Sequence, residues 1–146
     1  MKRLFIYIIG ICMTLASCSL HSSDNGDLDG FWQLRTMELK ATGEVLDMRE
    51  SQVSWSFQGS ILELRNILAA DDYMDVICSF RHEGNELMVF DPYVSWREEG
   101  DIPIVDTTPL HRYGIYQLEE HFKVLELNGD NMLLESQDVR LHFRRY

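Results

Sequence analysis

Residues 53–66 read VSWSFQGSILELRN. Val53, Trp55 and Phe57 alternate with Ser54, Ser56 and Gln58, a period of two that puts three large apolar groups on one face of a strand. Gly59-Ser60 is a tight turn, and Leu62 and Leu64 then alternate with Glu63 and Arg65 on the strand that follows. This fourteen-residue stretch sets the expectation for the whole chain: short strands, one apolar face each, joined by short turns.

The same pattern continues outward. Val76, Cys78 and Phe80 alternate with Ile77, Ser79 and Arg81; Glu83-Gly84-Asn85 turns the chain, and Glu86 to Phe90 reads as the returning strand. Phe122 to Asn128 ends at Gly129-Asp130, Met132 to Ser136 follows, and Gln137-Asp138 turns into a last strand on which Val139, Leu141, Phe143 and Arg145 share one face. With Phe31 to Leu39 near the start, the count is about eight strands in an all-β antiparallel meander. Two segments break the pattern. Residues 66–74 read as a loop with one helical turn. Residues 91–112 carry all three prolines, Pro92, Pro103 and Pro109, and read as one long loop, within which Ile102 to Val105 is a candidate extra edge strand.

The chain opens on Lys2 and Arg3 followed by thirteen mainly apolar residues, Leu4 to Ala16, the anatomy of a secretory signal and too short to span a bilayer comfortably. Leu15-Ala16-Ser17-Cys18 resembles the lipobox of bacterial lipoproteins. That resemblance implies cleavage before Cys18, lipidation of its thiol with palmitate-type chains, and a peripheral protein held durably at the cell envelope. Ser19 is not an inner-membrane retention aspartate, so an outer-membrane address is expected, on either face. The expected layout is a signal peptide over 1–17, a lipidated polar tether over 18–29 that reaches roughly 20 Å, and one folded domain over 30–146. Cys12 leaves with the leader, so Cys78 is the one free thiol expected; neither a disulfide nor a cysteine-based zinc site follows.

Charge narrows the partners. The 146-residue chain carries 24 acidic residues against 13 Lys and Arg, a formal charge of −11. Such a surface repels phosphate backbones, and nucleic-acid binding is not expected.

An eight-stranded meander must resolve its edges, and closure into a barrel removes them. Gly30-Phe31-Trp32 resembles the Gly-x-Trp on the first strand of lipocalins. In that family the tryptophan plugs the closed end of the barrel and an arginine of the last strand crosses its ring. The resemblance therefore implies a barrel-closing pair of Trp32 and Arg145, with Arg144 the alternative if a bulge shifts the register. Taken with the lipobox, Tyr113-Gly114-Ile115 and the closing Leu141-x-Phe143, the chain resembles the small lipocalin-like lipoproteins of Bacteroides-type bacteria. The implied fold is an up-and-down eight-stranded β-barrel. Its inward residues Trp55, Phe57, Leu64, Phe80 and Phe143 are the candidate ligand cavity, although an interior of this size can equally be filled by its own side chains.

Signs of catalysis are sparse. His21, His82, His111, His121 and His142 are scattered with no metal-ligand spacing, and there is neither a glycine-rich phosphate loop nor a Gly-x-Ser-x-Gly elbow. The acidic runs 71–75 and 98–101 lack calcium-loop spacing. No cofactor or metal is expected. Tyr93, Trp96 and Arg97, in the long break, are candidate loop contacts for a protein or glycan partner. The expected function is non-enzymatic binding of a small apolar or amphipathic ligand. The alternative is a filled barrel that docks a protein or glycan through its loops.

Overall fold

The computed structural model describes residues 25–66, 75–96 and 100–146. A 3-10 turn, η1 (Gly26–Leu28), leads into ten strands: β1 (Gly30–Leu39), β2 (Glu44–Asp47), β3 (Val53–Gln58), β4 (Ile61–Asn66), β5 (Asp75–Glu83), β6 (Glu86–Trp96), β7 (Gly100–Pro103), β8 (Glu120–Leu127), β9 (Asn131–Glu135) and β10 (Val139–Arg145). A second 3-10 turn, η2 (Thr108–Tyr113), lies between β7 and β8.

All pairings are antiparallel. Strands β1, β3, β4, β5, β6, β8, β9 and β10 pair in sequence order, and β10 returns to β1 through seven partnered positions, Trp32↔Arg145 to Leu39↔Val139. The result is a closed ring of eight strands, all-β and lipocalin-like. Closure leaves no ring strand with a bare edge along its whole length, the physical reason a meander of this size stops here.

Alternation decides what fills the ring. Val53, Trp55 and Phe57 of β3, Leu62 and Leu64 of β4, Val76, Cys78 and Phe80 of β5, and Val139, Leu141 and Phe143 of β10 are all buried. Their sequence neighbours turn outward, as side chains two apart share a face.

The structure corrects four expectations of detail. First, two strands lie outside the ring. β1 pairs β3 through Gly30–Gln33 and then β2 through Thr36–Leu39, so β2 continues the sheet where β3 leaves it. In the same way β6 pairs β8 through Glu86–Val89 and β7 through Tyr93–Trp96.

Second, residues 91–112 are not one loop. β6 runs straight through Pro92, because a bulge sits there: Ser79↔Phe90 is followed by Ile77↔Tyr93, and Asp91 takes φ 50°. The extra residue lets a strand carry a proline without losing a ladder bond. Pro92 O in turn accepts the Ile104 N–H at 2.9 Å.

Third, residues 25–29, expected as the end of a tether, belong to the fold: Leu28 is fully buried and carries η1 into the core, while residues 18–24 lie outside the described residues. Fourth, Asn66 belongs to β4 rather than to a loop; the helical turn expected over 67–74 lies outside the described residues.

Candidate functional site

One end of the ring is closed by η1. Trp32, with no exposed surface, donates its indole N–H to Leu28 O at 2.8 Å. The Arg145 guanidinium lies over that indole, its Cζ 4.7 Å from the ring centroid. Arg145 Nη2 also donates to the carbonyls of Asp27 and, at 2.9 Å, Asp29, so one side chain covers the tryptophan and ties down the incoming chain. Gly30 opens β1 at a φ of 117°, a conformation that suits a residue without Cβ. Arg144, the alternative partner, is exposed and pairs Gln33 on the outer face.

The five candidate cavity residues are all buried, and they meet one another. Trp55 is the hub: its ring centroid is 5.0 Å from that of Phe143, 5.7 Å from Phe122 and 6.0 Å from Phe57. Phe57 and Phe80 meet edge to face at 5.0 Å. Leu64 is Trp55's cross-strand partner. Aromatic pairs at these separations add about 0.5–1.5 kcal/mol each beyond their buried area. Two open grooves of the surface, one beside β2 and β10 and one beside β6, β8 and β9, are lined by none of the five.

The other end is stopped by η2 and the chain just after it. Leu110, Tyr113 and Ile115 are buried there, and Tyr113 O accepts the Trp55 indole N–H at 3.2 Å. Thr107-Thr108-Pro109 starts the turn and Gly114 ends it at φ 83°, the proline-first, glycine-last order typical of short helical elements. Gly114 is seated hard against the core: a Cβ there would fall 2.6 Å from Leu141 Cδ2.

A buried carboxylate holds the plug from the side. Glu120 of β8 is 2% exposed and accepts the N–H groups of Tyr116 at 2.7 Å and Gln117 at 2.9 Å. Burial pushes its carboxyl above the ordinary value, with the charge of Asp138 adding to that, while the two amides and the Ser136 hydroxyl pull it back. Tyr116 stacks on His111 at 4.3 Å between centroids. Burial and Asp138 also raise the Tyr116 phenol.

The remaining candidates scatter. Tyr93 is half-buried on β6, opposite Ile77 and Pro103, and is therefore a strand residue rather than a loop residue. Trp96 ends the same strand, and of it only the backbone is described. Arg97 and Cys18 lie outside the described residues, as do the acidic residues Asp71, Asp72, Glu98 and Glu99. Cys78 is buried, and desolvation pushes its thiol up to about 12, far from the thiolate that nucleophilic catalysis requires. Among the described residues, no group of three His, Cys, Asp or Glu side chains is placed to hold a metal.

Sequence reasoning missed the plug and its anchor, Glu120. The proline and glycine flanking η2 were visible signals, but its burial was not, because a six-residue turn has no periodicity to show which side faces a core.

Comparison with known proteins agrees with this architecture. A model of a lipocalin-like domain matches residues 12–146. A crystal structure of a lipocalin-like protein from Bacteroides uniformis superposes with a TM-score of 0.63 at 23% identity, covering 83% of this chain and 100% of that one. A crystal structure of an uncharacterized protein from Bacteroides eggerthii gives a TM-score of 0.56 at 18% identity, covering 81% and 98%. No curated protein matches the chain. A closed antiparallel ring with Trp32 under Arg145 at one end, together with a family match over nearly the whole length, places this chain in the lipocalin-like domain family.

Proposed function

We propose that this is a non-enzymatic cell-envelope lipoprotein that takes a small apolar or amphipathic ligand at the η2 end of its ring. The observation that carries the reading is the plug. Leu110, Tyr113 and Ile115 fill the mouth from outside the strand ladder. Their polar ties to the ring include the Trp55–Tyr113 bond and the two amides on Glu120. A short segment that contributes apolar groups without strand pairing opens at lower cost than any ring strand. An amphipathic ligand entering there replaces the plug's apolar packing with its chain and accepts the Trp55 indole N–H in place of Tyr113 O.

The test is native mass spectrometry of the full chain after exposure to a lipid extract, followed by titration with laurate while indole emission is monitored. A stoichiometric adduct, and an emission change that Trp55→Phe abolishes, are expected. An unmodified mass and unchanged emission, with the fold intact, would refute binding at this end. The alternative, a filled ring that docks a protein or glycan through its surface, is favoured by one observation, the mutual contact of the interior aromatics. It is the reading left standing by that second outcome.

The envelope address rests on the lipobox resemblance of residues 15–18. Cys18→Ala is expected to leave an uncleaved precursor that takes up no labelled palmitate. Normal processing of that variant sinks the assignment.

A further inference from the structure

The outer face of β9, β10, β1 and β2 carries an open groove of about 590 Å³ whose lining includes Arg35, Arg49, His142, Arg144, Asp47 and Asp130. The fold builds it deliberately at one place. β2 stands off the ring where it replaces β3 beside β1, and so makes one wall. Arg35 is the extra residue of a bulge in β1, since Leu34↔Phe143 is followed directly by Thr36↔His142. Bulges re-aim side chains in this way. His142 and Arg144 alternate with buried Leu141 and Phe143, which sets both on the outside of β10. The Met48 N–H donates to Arg35 O at 2.9 Å, and Gln33 Nε2 donates to Arg49 O at 3.3 Å, fixing the Arg49 segment against β1.

The charges in this groove are unevenly matched. Arg49 is neutralised by Asp47, to which its Nε donates at 2.9 Å. Those bonds hold the Asp47 carboxyl at about 2. Arg35 Nη1 donates to Gln33 Oε1 at 2.8 Å, a neutral acceptor. Among the described residues neither Arg35 nor Arg144 makes an ion pair. Further along the same face the pattern is the opposite. Arg140 pairs with Glu135 at 2.7 Å and Glu38 at 3.2 Å, and Lys40 lies 3.9 Å from Glu135. In a chain with 24 acids and 13 Lys and Arg, carboxylates are the abundant partner. Arg35 and Arg144, which make no ion pair among the described residues, line this groove with Arg49; Asp47 and Asp130 line it too, and the charge of Arg35 acts on Asp47, but the three guanidinium groups outnumber the two carboxylates.

We propose that this groove binds a phosphate or sulfate monoester carried on a small polar molecule. The guanidinium fork matches such oxygens two at a time, and a tetrahedral group has three oxygens to offer donors arriving from β1 and β10. A groove of about 590 Å³ suits an ester of small-molecule size, and a bilayer headgroup of the same chemistry is the other outcome of the test. This site is on the opposite side of the sheet from the mouth, so it stands or falls independently of ligand binding there.

The experiment uses the full chain in detergent, with arginine side-chain N–H signals followed by NMR at constant ionic strength. Inorganic phosphate, inorganic sulfate, acetate and chloride are titrated in turn, then glycerol 3-phosphate against a short-chain phosphatidylglycerol. Saturable shifts of Arg35 and Arg144 with phosphate, sulfate and glycerol 3-phosphate are expected. Arg35→Gln and Arg144→Gln each weaken that binding about tenfold, the usual consequence of losing a charged hydrogen bond. Arg140→Gln, a residue already paired, leaves it unchanged. Shifts that never saturate, that chloride reproduces, or that survive both Arg35→Gln and Arg144→Gln overturn the site. Tighter binding of the phosphatidylglycerol than of glycerol 3-phosphate overturns the soluble-ester assignment.

Discussion

Replacing Gly114 by alanine tests the plug directly. The substitution meets two separate penalties. The backbone stays at φ 83°, a region in which a Cβ crowds the following carbonyl at a cost of about 1–2 kcal/mol. The new Cβ also lands 2.6 Å and 2.7 Å from the two methyl carbons of Leu141 and 3.2 Å from its Cγ. Ordinary carbon contacts are about 3.5–4.0 Å, so something must move by about 1 Å. Leu141 is fully buried and cannot swing into solvent. Overpacking of this kind costs about 1–3 kcal/mol. The expected total is about 2–5 kcal/mol. Gly59→Ala is the matched control: its φ is 62°, with nothing within 4 Å of the added carbon, so it bears only the backbone penalty. Urea unfolding at neutral pH, with the slope unchanged between variants, reads both. The difference between them isolates the overlap with Leu141. If the two variants agree within about 0.5 kcal/mol, η2 is not seated on the core and the plug argument collapses.

Other consequences can be checked in the same way. Arg145→Lys keeps the charge but loses the planar fork over Trp32 and the twin bonds to Asp27 and Asp29, and should lower unfolding stability by about 1–3 kcal/mol; an unchanged urea midpoint would remove Arg145 from the closure. Glu120 binds its proton more tightly folded than unfolded, so it lowers stability as pH rises from its ordinary 4.5 through its raised folded value. Glu120→Gln should flatten that part of the stability profile, and an identical profile in the variant would contradict the burial argument. Asp47, held low by Arg49, acts in the opposite sense: its contribution is present above 3.8 and is lost as pH falls toward 2. Cys78 should resist alkylation at pH 8 in the folded protein and react once urea unfolds it; rapid labelling without denaturant would mean that the β5 face is open.

What was legible in the sequence is what two-residue geometry controls. The faces of β3, β4, β5 and β10 followed from alternation alone, since in an extended chain the side of each residue is set by its immediate neighbours. The inward side of Arg145 came from the same rule, counted from Val139. Strand termini and bulges were less legible. Pro92 read as a breaker, yet a bulge accommodates it within β6. β2 was overlooked because Glu44-Val45-Leu46-Asp47 is largely exposed and has no apolar face to betray it. Leu28 looked like one apolar residue in a polar tether, and nothing local indicated that the ring leaves space for it.

The sequence by itself thus determined the apolar faces of β3, β4, β5 and β10 and the likeness of Gly30-Phe31-Trp32 to a closing motif. Only the tertiary structure decided what meets what. Trp32 finds Arg145, Trp55 finds Tyr113, and Arg35 and Arg144 come to line one groove. Those meetings join distant positions: Trp55 and Tyr113 are 58 residues apart, and ring closure sets Trp32 and Arg145 opposite each other on the first and last strands. Local propensity carries no information about that distance. The packing of a finite interior does, because each side chain that fills the ring leaves less room for the next.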